Sequence, residues 1–211
     1  MSTQFFYEIE QNSDEWYDAR LGRVTTSKIA DVMAKGQGKT RKTYMLKLAS
    51  ERITGEPAET YQNAQMERGH EWEDDARLMY QVINPVYDPK RCGFAWNGCA
   101  GSSPDRLIGN DGMLEVKTKA PHLLAEWILA DQFPAMHAKQ CMGQLWVCER
   151  EWVDLIGYWP SMPLFTARLY RDEAMIANIS DAVAVFNVEL DEMEAQLRQY
   201  GGSNWIEAGR K

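Results

Sequence analysis

Ser102-Ser103-Pro104-Asp105-Arg106-Leu107, then Asn110-Asp111-Gly112, then Met113-Leu114-Glu115-Val116-Lys117-Thr118, is the stretch that decides the fold. Asn-Asp-Gly between two apolar runs signals a β-hairpin. Side chains two apart on a strand point the same way, so Glu115 and Lys117 share a face. Closing the hairpin brings Asp105, which follows an apparent strand, beside Glu115. Two carboxylates at one point repel unless a cation sits between them or one holds a proton. Lys117 adds a charged donor within reach of an attacking water. This set suits metal-dependent phosphodiester hydrolysis, in which a cation polarises the phosphoryl group and Lys117 orients or deprotonates the nucleophile. Oxygen ligands favour Mg²⁺ or Mn²⁺ over zinc. Glu115-Val116-Lys117 is the only Glu-x-Lys in the chain. Asp88-Pro89-Lys90 is the only Asp-x-Lys, and its proline suits neither a central strand nor a ligand carbonyl held in a ladder. Taken alone, the segment also reads as a surface hairpin with a Glu–Lys pair.

Outward from the hairpin, the pattern alternates between helices and strands. Ser13-Asp14-Glu15 starts a helix that ends at Gly22, and Ser27 reads as a second N-cap. Gly36-Gln37-Gly38-Lys39 is a break, and a basic helix runs from about 41 to 54 with Gly55 as its cap. Residues 62–80 form a longer helix with Met66, Trp72, Ala76, Met79 and Tyr80 as its apolar stripe. Strand-like runs lie near 82–87, 91–96, 99–103 and 113–118. Helices return at 121–130 and 135–148, strands at 151–159 and 164–170, and one long helix at 172–199. The order predicts an α/β fold in which a central mixed sheet is flanked by helices, in a single domain over 1–211. The eight tryptophans and nine tyrosines fall mostly at apolar-periodic positions and read as core.

The 211 residues are 45% apolar and 26% charged, which excludes fibrous, collagenous and disordered classes. The net charge of −8 by itself argues mildly against a nucleic-acid partner. Its distribution matters more. Residues 16–52 hold nine basic and three acidic side chains, a surplus of +6, so the remainder carries −14. That asymmetry predicts either an electropositive region on an acidic body or a solvated helical face. Cys92, Cys99, Cys141 and Cys148 lack structural-zinc spacing; Cys141 and Cys148, seven apart on one helix face, read as buried free thiols, which fits a reducing intracellular compartment. The N-terminus lacks a signal-peptide pattern, and no apolar run is long enough to span a membrane.

Four blocks, in order, give the chain a family resemblance. They are Trp16-Tyr17-Asp18-Ala19-Arg20-Leu21-Gly22 with Thr25-Thr26-Ser27; Arg68-Gly69-His70-Glu71-Trp72-Glu73-Asp74-Asp75-Ala76-Arg77; the Asp105 to Lys117 segment; and Gln140-Cys141-Met142-Gly143-Gln144-Leu145-Trp146-Val147. The third resembles the PD-(D/E)xK nuclease signature. Together they resemble the phage lambda exonuclease family, the YqaJ-like viral recombinase nucleases, from about 16 to 159. The resemblance implies a restriction-endonuclease-like fold. It implies that Asp105, Glu115 and the Val116 carbonyl are metal ligands, and that Glu73 contributes to a second metal position. Glu73 could alternatively form a helical ion pair with Arg77. Lys117 matches the lysine that positions the nucleophile, and Gln140 an active-site glutamine. Arg20 matches an arginine that anchors the 5′-phosphate of a DNA end, a task suited to its planar fork; Ser27 and Ser103 would donate to the same phosphates. His70 reads as a supporting or surface residue, and the 36–42 loop as a contact to the DNA backbone.

The activity implied is a Mg²⁺-dependent 5′-to-3′ exodeoxyribonuclease, with Mn²⁺ as a substitute ion. It would digest one strand of linear duplex DNA and leave a 3′ overhang for a single-strand annealing protein in phage-type recombination. The resemblance further implies a toroidal homotrimer, which a monomer in light scattering at micromolar concentration would contradict. It implies a phage- or prophage-encoded protein in the cytoplasm of a bacterial host. A structure- or site-selective endonuclease, or a non-catalytic DNA-binding module, are the competing readings.

Overall fold

The computed structural model describes residues 2–34, 39–58 and 64–200, with only the backbone described for 64–71. Among these, the strands form two sheets. A five-stranded sheet runs in the order β2 (Pro89–Lys90), β5 (Arg106–Ile108), β6 (Gly112–Thr118), β7 (Trp152–Tyr158), β8 (Phe165–Tyr170). Only β6 and β7 are parallel, so the sheet is mixed as the sequence predicts. Their parallel pairing requires a crossover, supplied by helices α5 (Pro121–Ala130) and α6 (Ala135–Cys148). Pro89 sits on the edge strand, where a missing N–H is tolerated. A smaller antiparallel sheet joins β1 (Gln4–Phe6), β3 (Phe94–Trp96) and β4 (Gly101–Ser102).

The hairpin forms as expected. Arg106 lies opposite Leu114 and Ile108 opposite Gly112. Gly109, in the left-handed region at φ 55°, turns the chain. Gly112 itself belongs to the strand, where a Cβ would come within 2.2 Å of the Trp152 ring.

The two sheet faces carry different layers. Met113, Val153 and Leu155 face a large core shared with α6, α3 (Lys39–Thr54) and α7 (Glu173–Gln199). Ile108, Leu114 and Ile156 face Ala76 and Tyr80 of α4 (Ala64–Ile83). Strand alternation therefore sends Glu115 and Lys117 toward α6, and Leu114 and Val116 toward α4. On the α4 side, buried Asp154 of β7 accepts from the Tyr80 hydroxyl (2.5 Å) and from Arg168 Nε and Nη2 (2.7 and 2.8 Å). The Arg168 guanidinium also lies over the Trp152 ring, 3.8 Å from its centroid.

Four expectations are corrected. The strand near 82–87 is absent: Val82 and Ile83 end α4, Asn84 closes the helix by donating to the Tyr80 carbonyl (2.9 Å), and Val82, Ile83 and Val86 are exposed. The stripe of α4 narrows to Trp72, Ala76 and Tyr80, because Met79 is exposed; the Met66 side chain lies outside the described residues. Ser27 is not an N-cap. Thr25 is held extended by a bridge to Gly101, a 3₁₀ turn spans Thr26–Lys28, and the short helix α2 (Ile29–Val32) follows, with the Ser27 hydroxyl on Thr25 Oγ1 (3.3 Å). The described tryptophans are half-buried rather than interior, packing at the margins as in the Trp72–Trp159 edge contact.

The basic segment also reads differently in three dimensions. Arg41 pairs with Glu189 at 2.5 Å, and Arg52 with Asp191 and Glu194 at 2.6 and 3.4 Å. Much of the local surplus is thus neutralised by acidic side chains of α7, and these pairs fasten α3 to it. Arg20 and Arg23 instead lie over the rings of Trp16 and Trp96.

Candidate active site

The β5–β6 hairpin brings Asp105, Glu115 and Lys117 together. The register that sets Arg106 against Leu114 puts Asp105, one residue earlier, beside Glu115, and Asp105 Oδ2 accepts from the Val116 N–H at 2.7 Å. Glu115 is only 3% exposed. Its Oε1 accepts from Lys117 Nζ (2.5 Å) and Gln140 Nε2 (2.6 Å), and its Oε2 from Gln144 Nε2 (2.6 Å). Two glutamines one helical turn apart on α6 therefore grip both oxygens. Gln144 is the participant that sequence reading passed over. Its signal was available, because Gln140 and Gln144 stand four apart on one helix face.

Burial, then repulsion from Glu115 and Glu73, lifts the Asp105 carboxyl well above the usual carboxylate range. Burial opposes the Lys117 charge, but Glu115 and Asp105 outweigh it and hold the ammonium above the ordinary lysine range. A carboxylate offers about four lone-pair sites, and three protein donors fill Glu115's set only in part. Asp105 and Glu115 bring carboxylate oxygens together, the donor type that suits a hard dication, although among the described residues no group of three or more His, Cys, Asp or Glu side chains is arranged to hold a metal ion.

An acid whose native pKa is raised costs folding stability above that pKa and costs none below its unfolded value. Asp105→Asn is therefore expected to raise the melting temperature of the metal-free protein near neutral pH. The gain should fade as pH falls toward the normal carboxylate range. Thermal melts in EDTA check this; an unchanged or lowered melting temperature near neutral pH would contradict the crowding of charge.

Glu73, on α4, does not pair with Arg77. It forms a close ion pair with Arg106 Nη1, while Arg77 turns to Gln81 (2.8 Å) and Asp74 (3.5 Å). Arg106 Nη2 reaches Asp74 Oδ1 at 2.8 Å. A cavity of about 420 Å³ lies against Glu73, Asp105 and Arg106, walled in part by residues 7–12.

The expected phosphate-anchoring residues gather separately. Ser103 Oγ accepts from Arg20 Nη1 and from Trp16 Nε1, both at 2.9 Å. The Arg20 guanidinium lies 4.0 Å from the Trp16 ring centroid, and burial pushes its pKa down to about 10, still charged at neutral pH. The loop behind it is fixed by Gly22, whose φ of 64° needs a glycine and whose N–H donates to buried Glu51 (3.0 Å). Ser103 stands two residues before Asp105, so their Cα atoms are at most about 7 Å apart. Exposed Ser27 bonds only locally, to Thr25. The side chain of His70 and the loop residues Gly36–Gly38 lie outside the described residues.

A mixed sheet whose central hairpin presents Asp105, Glu115 and Lys117 at its edge, with helices on both faces, defines the restriction-endonuclease-like class. Within it, the model of the YqaJ-like viral recombinase domain matches residues 15–151, and the chain belongs to that family. Its structure is similar to an alkaline exonuclease, LHK-Exo, from Laribacter hongkongensis, with 33% identity, 89% of this chain and 97% of that one covered, and a TM-score of 0.81. The same protein in complex with dAMP gives a TM-score of 0.82 at the same identity and coverage. A phage related exonuclease from Haemophilus somnus 129PT shares the fold at 13% identity and a TM-score of 0.61, covering 83% of this chain and 96% of that one. No curated protein matches the chain. No helix among the described residues is long and apolar enough to cross a membrane.

Proposed function

We propose that this chain is a Mg²⁺-dependent exodeoxyribonuclease. It digests one strand of linear duplex DNA from the 5′ end and leaves a 3′ single strand for annealing. The observation that carries the reading is the juxtaposition of two groups on one chain segment: the Asp105–Glu115–Lys117 hairpin and the Arg20–Trp16–Ser103 cluster. One suits hydrolysis and the other suits a terminal phosphate. The similarity to LHK-Exo, an alkaline exonuclease also known in complex with dAMP, supports the same direction; a deoxynucleoside monophosphate is the product expected here.

Asp105, Glu115 and the Val116 carbonyl would hold a Mg²⁺, with Mn²⁺ as a substitute. When bound, the ion polarises the scissile phosphate and lowers the pKa of the attacking water. Gln140 and Gln144 fix the Glu115 carboxylate, so it needs no reorientation. Lys117, tied to Glu115, orients the attacking water and faces the charge developing on the phosphate. Arg20 takes the 5′-phosphate through two parallel N–H donors, with Ser103, and Ser27 from the adjoining turn, donating beside it. Anchoring one phosphate sets the next linkage against the hairpin, which gives exonucleolytic register. Threading as a toroidal homotrimer would account for processive digestion, with a single-strand annealing protein taking the overhang in a bacterial host's cytoplasm.

Arg20→Ala tests the polarity. The unaltered protein is expected to degrade 5′-phosphorylated duplex ends faster than 5′-hydroxyl ends by about tenfold, the equivalent of roughly 1.4 kcal/mol for a charge-assisted contact. The variant should lose that difference. Equal rates on both ends in the unaltered protein, or a preference that survives the substitution, would remove Arg20 from the role.

A further inference from the structure

Arg106 is paired with Glu73, the carboxylate that the family resemblance assigns to a second metal position. It lies opposite Leu114, so its side chain leaves the sheet on the α4 face, while Asp105 and Glu115 turn toward α6. Its Nη1 donates to Glu73 and to the backbone carbonyl of Asp105 (2.5 Å), and its Nη2 to Asp74 (2.8 Å). The side chain is 5% exposed. One guanidinium therefore bridges the helical carboxylates and the chain segment that carries the metal-binding aspartate.

We infer that Arg106 is a built-in replacement for a second metal ion, so that this centre takes one divalent cation, at Asp105 and Glu115. A cation approaching Glu73 would have to displace Arg106 from one of the two ion pairs that hold its buried guanidinium. Both cations would also repel at close range. Glu73 then serves as an anchor for Arg106 and a source of negative potential at the site. The inference rests on the metal reading of Asp105 and Glu115 proposed above and limits its stoichiometry.

The test is a count of bound Mn²⁺ by electron paramagnetic resonance and titration calorimetry on the full chain without DNA. The unaltered protein is expected to bind about one Mn²⁺ per chain. Arg106→Gln keeps length and hydrogen bonding but removes the charge, and should admit a second ion, with the spin–spin broadening of a close Mn²⁺ pair. Two ions in the unaltered protein would overturn the inference while upholding the metal reading. No bound ion would overturn both. One ion in folded Arg106→Gln would remove Arg106 from this role. Should Arg106→Gln not fold, the count in the unaltered protein still decides.

Discussion

Glu115→Ala is expected to lower nucleotide release by roughly a thousandfold or more while duplex binding persists. The figure follows from several kcal/mol of transition-state stabilisation by a correctly held ion, about 4 kcal/mol corresponding to three decades. Glu115 does more than supply a ligand oxygen. It is the hub on which Lys117, Gln140 and Gln144 all converge. Its removal leaves the Gln144 amide buried without that acceptor, and releases Lys117 from its tether. Asp105→Ala should be as inactive, because it also removes the acceptor for the Val116 N–H. Gel-shift binding at fixed salt, beside product release, separates chemistry from binding. Activity within tenfold of the unaltered protein in either variant would remove these residues from the hydrolytic centre.

The second large effect concerns stability. Asp154→Ala is expected to cost about 3–5 kcal/mol and to lower the melting temperature by about 10 °C. The carboxylate is 3% exposed and satisfies the fully buried Tyr80 hydroxyl and two Arg168 donors at once. Truncating it leaves a buried hydroxyl and a guanidinium without their acceptor, which is worse than never having had the pair. Tyr80 sits on α4, seven residues beyond Glu73, so the same network seats the helix that brings Glu73 to Arg106. Calorimetric or circular-dichroism melts measure it. A shift under about 2 °C would show that the network is not a structural brace.

The central hairpin was legible because its signals are local. Asn110-Asp111-Gly112 marks the turn, period-two alternation sets the faces, and Glu115 and Lys117 follow from spacing alone. The α5–α6 crossover and the long α7 were legible for the same reason. What escaped depended on partners distant in the chain. Gln4-Phe5-Phe6 is too short a run to announce a strand, and β1 exists because β3 offers it an edge. The apolar residues after Tyr80 looked like a strand, yet they lie on the solvent side of a continuing helix. Arg106 stood in plain view beside Asp105, but only the fold shows that it turns to α4 and takes Glu73 from Arg77. The basic stretch from 16 to 52 looked like one surface. Half of its logic lies in α7, whose acids bind Arg41 and Arg52 and leave Arg20 among the aromatic and hydroxyl groups of the site.

The central claim is that hydrolysis begins at a 5′ end and needs a divalent ion. The direct measurement uses linear duplex DNA labelled separately on each strand, and covalently closed circular duplex, each with Mg²⁺ or EDTA, followed by product sizing. The account predicts mononucleotides from the 5′ end of linear duplex in Mg²⁺, an intact complementary single strand left behind the advancing enzyme, and no product from circles or in EDTA. Cleavage of closed circles, release in EDTA, or first loss of label from the 3′ end would contradict it.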